Sequence, residues 1–241
     1  MEEIWSENDS EVFIRYGKYF IPYQEKQIEI ICNLISDKNS SAFDQTVVDL
    51  CCGQGRLTEA LLEHFENAQV IALDASPTML REIKIRLANF GQRLQIKQCD
   101  LASPEWREFS TPISAFVSSL AIHHLDEKQK KELFTDLYRV LIPGGALLIS
   151  DLILPLTEKA QLVAAKHWDE ITKARSIEFG GDLSAFDAFH RLKWNYFYNH
   201  DDLLDTPSPI FDQLKWLEAI GFKDIEVFWM VAGHAIYGGY K

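Results

Sequence analysis

Two hydrophobic periods alternate along most of this chain. Short apolar runs near 45–51, 69–74, 93–98, 113–119 and 146–151 have the length and β-branched content of buried strands. Stretches with helical spacing separate them. Residues 56–66 put Leu57, Leu61, Leu62 and Phe65 on one face; a helix opens at Ser76 with Pro77 in its first turn; residues 126–141 start from an Asp126 cap. Continuously apolar strands alternating with helices predict an α/β architecture with a parallel sheet covered on both faces. Ahead of this core, residues 9–36 read as helix broken near Pro22, with Ile28, Ile31, Leu34 and Ile35 inward. Behind it, a helix over 208–220 stops at Gly221, and Ile225–Met230 and Ala235–Tyr240 read as a hairpin joined through 231–234. Residues 155–205 are helical in pattern and rich in large side chains, among them Trp168, Phe179, Phe186, Phe189, Trp194, Tyr196, Phe197 and Tyr198. No linker divides the chain, so a single domain is expected: N-terminal helices at 1–40, a core at 45–152, a helical insertion at 155–205, and a helix and hairpin at 206–241.

The chemistry concentrates at the end of the first strand. Val47-Val48-Asp49-Leu50-Cys51-Cys52-Gly53-Gln54-Gly55-Arg56-Leu57-Thr58 runs from strand through a glycine turn into a helix. Such a turn lets a ligand approach the backbone, and the helix start behind it offers free N–H groups. The second strand, Val70-Ile71-Ala72-Leu73-Asp74, ends in a carboxylate about 20 residues on, where a ribose-binding acid belongs. Together they point to an adenine nucleoside cofactor. Thr58 stands where a dinucleotide fingerprint has its third glycine, and Asp49 would face a pyrophosphate with like charge. Both argue against a nicotinamide oxidoreductase and for a ligand with a cationic end.

Asp49-Leu50-Cys51-Cys52-Gly53-Gln54-Gly55 resembles the first motif of the class I S-adenosylmethionine (SAM)-dependent methyltransferases, an acid followed by a glycine-rich turn, with Cys51 replacing the first glycine. Four further segments resemble the family in order: Asp74 with Ala75-Ser76-Pro77-Thr78-Met79; Cys99-Asp100-Leu101; Phe116 to Leu125; and Leu137-Tyr138-Arg139-Val140-Leu141-Ile142-Pro143-Gly144-Gly145. The resemblance covers roughly residues 45–152. It implies a Rossmann-like, doubly wound sheet of seven strands, mostly parallel, with an antiparallel C-terminal strand beside the fifth. It implies SAM as cofactor and S-adenosylhomocysteine as product, with no metal. Residue by residue, it implies that Asp49 meets the amino end of the methionine tail and that Cys51, Gly53 and Gly55 shape the turn around it. Asp74, with Ala75 and Met79 beside it, would take the ribose; Asp100 and Leu101 would take the adenine. Ser119 would read the cofactor through its backbone, and Tyr16 would lie over the methionine tail.

His123 and His124 follow the fourth strand, facing the expected methyl position, and are the candidate bases for a hydroxyl acceptor. His190, His200 and His234 are weaker candidates from the tail. The acceptor pocket is expected at the carboxyl ends of strands four and five, under the aromatic insertion, with Trp194, Tyr196, Tyr198 and Trp229 as walls. Core packing is the plain alternative for each of these aromatics. An aromatic lining implies a partly apolar acceptor, such as a secondary metabolite or a lipid-like acid.

Composition narrows the partners. A net charge of −12 disfavours DNA and RNA, and no Asn-Pro-Pro-Tyr or Asp-Pro-Pro-Tyr segment follows strand four. No run of apolar residues reaches membrane-span length, and no secretory signal is visible, so a cytoplasmic setting is expected. Cys32, Cys51, Cys52 and Cys99 have no metal spacing, and two of them sit inside the turn, which suits a reducing compartment. The reading is therefore a methyltransferase for a small molecule, acting as a monomer or homodimer. The alternatives are a synthase of carboxylated SAM, which needs an arginine near the methyl position, and a SAM sensor without catalysis.

Overall fold

The computed structural model describes residues 5–36, 45–199 and 204–241. Its centre is a seven-stranded sheet formed by β1 (Thr46–Leu50), β2 (Gln69–Asp74), β3 (Leu94–Gln98), β4 (Ile113–Ser119), β5 (Leu141–Leu152), β6 (Lys223–Val231) and β7 (His234–Tyr240). The spatial order is β3-β2-β1-β4-β5-β7-β6. The first five strands are parallel, and β7 runs antiparallel between β5 and β6. The order reverses between β1 and β4, so the carboxyl ends of these two strands bound a crevice where ligands bind in open α/β sheets.

The pleat sorts side chains into two cores. On one face Val48, Leu50, Phe116, Leu147 and Ile149 pack with Leu133, Phe134 and Leu137 of α5 (Glu127–Val140) and Leu217 of α8 (Ile210–Ile220). On the other, Val47, Val70, Ala72, Val117 and Leu148 meet Ile31 of α2 (Gln24–Ser36), Leu57 and Leu61 of α3 (Arg56–His64) and Ile83 of α4 (Pro77–Arg86). Successive residues on a strand therefore enter different cores, which is why these strands are apolar without alternation.

A third layer lies over the carboxyl edge. It is built from α1 (Glu7–Phe20), α6 (Glu158–Gly180) and α7 (Ser184–Arg191), with Phe20, Trp168, Phe189 and Phe197 packed together. Trp168 donates its indole N–H to the Phe20 carbonyl at 2.7 Å. Arg175 of α6 donates to the Lys18 carbonyl and to the Glu25 carboxylate, so α6 is strapped to both N-terminal helices.

The element order follows the sequence pattern, and the largest boundary shift in the sheet is at strand five. Strand five begins at Leu141 rather than Ala146. The Pro143-Gly144-Gly145 turn stays in the sheet because Gly144 and Gly145 exchange backbone hydrogen bonds with Lys241. Asp126 caps α5 in a full capping box with Gln129, and Ser76 caps α4 ahead of Pro77.

Candidate active site

The glycine turn after β1 is held open by its own carboxylate. Asp74, at the end of β2, accepts from Gly53 N–H at 2.8 Å and from Ser76 N–H at 2.9 Å. Gly53 and Gly55 both have positive φ, 53° and 79°. A Cβ built on Gly53 would find no atom within 4 Å, so the turn borders free space. At Gly55, the N-cap of α3, a Cβ would strike Ile83 at 2.5 Å. Cys51 adopts φ 53° although it is not glycine, a conformation that costs an L-residue about 1–2 kcal/mol.

Asp49 lies fully buried beneath this turn and accepts a 2.5 Å hydrogen bond from Thr58 Oγ1. Burial pushes its carboxyl up to about 7 against the pull of the Thr58 hydroxyl, and nearby Asp74 adds to the rise. Burial also raises the Asp74 carboxyl, opposed by the N–H groups of Ser76, Gly53 and Ala75. The Cys51 and Cys52 thiols are pushed well up by burial and the neighbouring acids, which makes them packing groups rather than nucleophiles.

This donor set suits an adenosyl amino acid. An open glycine turn, a helix start with no side-chain cap and a carboxylate ending the next strand match a ribose with a polar tail, while buried Asp49 has unmet demand for positive charge. Met79 is buried behind Ser76, Ala75 is exposed at the rim, and Leu101 is buried. Asp100 is exposed and accepts from Ala102 N–H. Ser119 is half-buried at the end of β4, and Tyr16 stacks on Phe20 with centroids 5.6 Å apart.

Beside the crevice is a cavity of about 160 Å³. Leu120, His123 and His124 from the turn after β4, Leu152 from β5 and His234 from β7 line its sheet side. Trp168, Trp194 and Tyr196 come from the insertion, and Trp5, Asp9 and Phe13 from the N-terminal segment. Trp194 and Tyr196 thus stand where the sequence put them. Tyr198 is exposed and Trp229 packs with the second sheet core, so neither lines the cavity. The N-terminal wall was not foreseen, nor was Asp205. No arginine lines the cavity among the described residues.

The two neighbouring histidines have different surroundings. His123 lies between carboxylates, with Nδ1 2.5 Å from Asp151 and Nε2 3.4 Å from Asp205, and its backbone N–H also donates to Asp151. Burial would lower its pKa, but Asp151 and Asp205 reverse that and carry it to about 10. As an imidazolium with both nitrogens engaged, it has no lone pair with which to take a proton. This makes it a poorer candidate base than its neighbour and a cation that balances buried Asp151 and half-buried Asp205. His124 points Nδ1 at Asp205 (3.0 Å) and at the Leu204 carbonyl (3.3 Å), two acceptors that fix the proton there. Its Nε2 has no hydrogen bond to the described residues. Asp205 is held below the usual carboxylate range by His123 and His124, despite its burial. His190 lies on the surface of α7 beside Asp169, and His200 is outside the described residues.

Comparison with known proteins identifies the family. The family described as "Methyltransferase domain" matches residues 47–145. The chain is 30% identical over 193 residues to a trans-aconitate 2-methyltransferase of Acidovorax sp. (strain JS42), covering 73% of this chain and 68% of the relative. It is 28% identical over 201 residues to a ubiquinone/menaquinone biosynthesis C-methyltransferase of Escherichia fergusonii, covering 82% and 74%. Among solved structures, an O-methyltransferase family protein from Burkholderia thailandensis superposes with a TM-score of 0.64 at 14% identity, over 98% of this chain and 60% of that one. Human N-acetylserotonin methyltransferase in complex with SAM gives 0.60 at 14% identity, over 98% and 56%. The chain spans little more than half the length of these two structures, and they support the fold alone.

Proposed function

Because the chain belongs to the SAM-dependent methyltransferases, we propose that it methylates a small, partly aromatic molecule in the 160 Å³ cavity, with His124 as the base. The observation that carries this reading is the His124–Asp205 pair in the cavity wall, with a lone pair left on His124 Nε2. When bound, SAM supplies an electrophilic methyl group on a sulfonium. Gly53 and Gly55 would let the backbone approach the methionine tail, Asp49 would meet its amino group, and Asp74 would accept from the ribose hydroxyls. Asp100 and Leu101 would border the adenine. Trp5, Phe13, Trp168 and Trp194 exclude water and hold the acceptor flat against the reacting face. His124 then takes the acceptor proton on Nε2, while Asp205 steadies the imidazolium that forms.

The charge of −12 supports a small acceptor over nucleic acid. No helix among the described residues is long and apolar enough to cross a membrane. We infer a cytoplasmic monomer or homodimer.

The test is incubation with methyl-labelled SAM and a fractionated cell extract, with Asp74→Ala as the control that loses cofactor. Label in the small-molecule fraction, much reduced in His124→Gln, supports the reading. Label confined to macromolecules overturns the acceptor class, and undiminished transfer by His124→Gln overturns the base.

A further inference from the structure

His234 opens β7 and pairs with Leu152 across the antiparallel ladder, next to the cavity. It is 1% exposed. Its Nδ1 lies 3.0 Å from the Ala232 carbonyl, which accepts only, so the ring proton is on Nδ1 and the lone pair on Nε2. The Trp168 indole stands edge-on to the imidazole, centroids 4.5 Å apart and planes at 82°, and fixes its orientation. Nε2 is buried and has no hydrogen-bond partner in the protein. A buried acceptor left without a donor is unfavourable, and most such groups in native proteins are matched by a ligand, an ion or water. His234 is one of the residues that line the cavity to which the methyl acceptor has been assigned.

Cavity size adds a second constraint. An engineered apolar cavity of about 150 Å³ is large enough to hold benzene. At about 160 Å³, with Phe13, Phe20, Trp168 and Trp194 in its walls, this one has room for an aromatic ring.

We propose that His234 Nε2 orients the methyl acceptor by receiving a hydrogen bond from it, and that the acceptor is a single-ring aromatic bearing a hydroxyl or N–H. This rests on the methyltransferase reading above. Burial holds the His234 ring down to about 4, so near neutral pH it is an uncharged acceptor that selects a donor over a carboxylate.

Phenol and anisole separate the possibilities, because both are single rings and only phenol can donate. Their binding is measured by calorimetry with saturating S-adenosylhomocysteine, on wild type and His234→Phe, together with the ¹⁵N resonance of His234 Nε2. Transfer of apolar surface alone favours anisole, which carries the extra methyl. The expected result is phenol tighter than anisole by about 3-fold in wild type, one neutral hydrogen bond less the transfer gain of the extra methyl, with the preference reversed in His234→Phe. The Nε2 resonance should move with phenol and stay put with anisole. Unchanged S-adenosylhomocysteine affinity in His234→Phe shows that the variant is folded, and the wild-type resonance tests the bond without any substitution. Equal binding, or an anisole preference, with an unmoved resonance overturns the hydrogen bond and leaves the aromatic acceptor standing. Binding of neither ring overturns both the hydrogen bond and the single-ring acceptor. Transfer of label to extract compounds then decides the methyltransferase reading separately.

Discussion

His123 and His124 are adjacent in sequence, yet one is locked between Asp151 and Asp205 and the other has a nitrogen to spare. Exchanging them for neutral residues should therefore do opposite things. His123→Ala leaves the Asp151 carboxylate buried with its cation removed, a defect expected to cost about 3–5 kcal/mol. Denaturant unfolding of that variant measures the cost, and a loss under 1 kcal/mol would refute the assignment. His124→Gln should unfold like wild type while kcat falls by about 10²–10⁴. Asp49 supplies a second test at this scale. Its carboxyl is pushed up to about 7, so at pH 6.5 much of it carries a proton. A cationic amino group arriving beside it favours the carboxylate and should expel a fraction of that proton. Calorimetry of SAM binding in buffers of different ionisation heat would detect the release, and Asp49→Asn should abolish it; heats independent of buffer would sink the contact. The sequence singled out Asp49, Asp74, His123 and His124, and the structure sets them at or just beyond the carboxyl ends of β1, β2 and β4. It could not separate the two histidines, because their partners Asp151 and Asp205 lie 28 and 81 residues away from them. Nor did it reveal that Cys51, in the place of a glycine, keeps the glycine's left-handed backbone.

At the scale of elements, the core was legible because each strand and helix carries its own period and caps. Ser76-Pro77 and Asp126 mark helix starts by local chemistry alone. Elements whose position depends on distant partners were harder to place. Helix α1 docks on the start of α4 through Ser10 to Ser76 and Glu7 to Thr78, then continues as a wall of the cavity. Its amphipathic pattern says that one face is covered and cannot say by what. The hairpin behaves likewise: the sequence gives its turn, and its insertion beside β5 depends on Gly238. A Cβ there would lie 1.9 Å from the Leu147 carbonyl oxygen, backbone that cannot move without breaking the β5–β7 ladder. Gly238→Ala should destabilise the protein by about 3 kcal/mol or more, above the usual range for overpacking, because the clash is with main chain. Thermal melting would check it, and a shift of less than 2 °C would show that the two strands can part without loss. The same spacing carries His234 to the cavity, so surviving Gly238→Ala protein should also show weakened phenol binding.

For the whole molecule, the buried titratable groups fix how stability depends on pH in the absence of cofactor. His123 has a folded pKa of about 10 against an ordinary 6.5, so its contribution is complete below about 6.5 and is lost as pH rises towards 10. Asp49, raised by burial from 3.8 to about 7, also binds its proton more tightly when folded, and stability falls between those values. His234, lowered by burial to about 4, acts in reverse: the unfolded chain takes up the proton first, so stability rises from about 4 to 6.5. Asp49 and His234 therefore offset each other over most of the acidic range, with raised Asp74 tilting the balance slightly downward. Lys130, lowered by burial to about 8, opposes His123 above that pH. The net expectation is a broad maximum below pH 6.5, a decline between 6.5 and 8, and a flatter course beyond. One proton is worth about 1.4 kcal/mol per pH unit, so the decline should approach 2 kcal/mol. In a chain of this size that is a fall in melting temperature of about 4–8 °C. Melting curves from pH 5 to 9 measure it. Stability that rises between 6.5 and 8 would mean that His123 is neutral in the folded protein, and would raise it among the candidate bases.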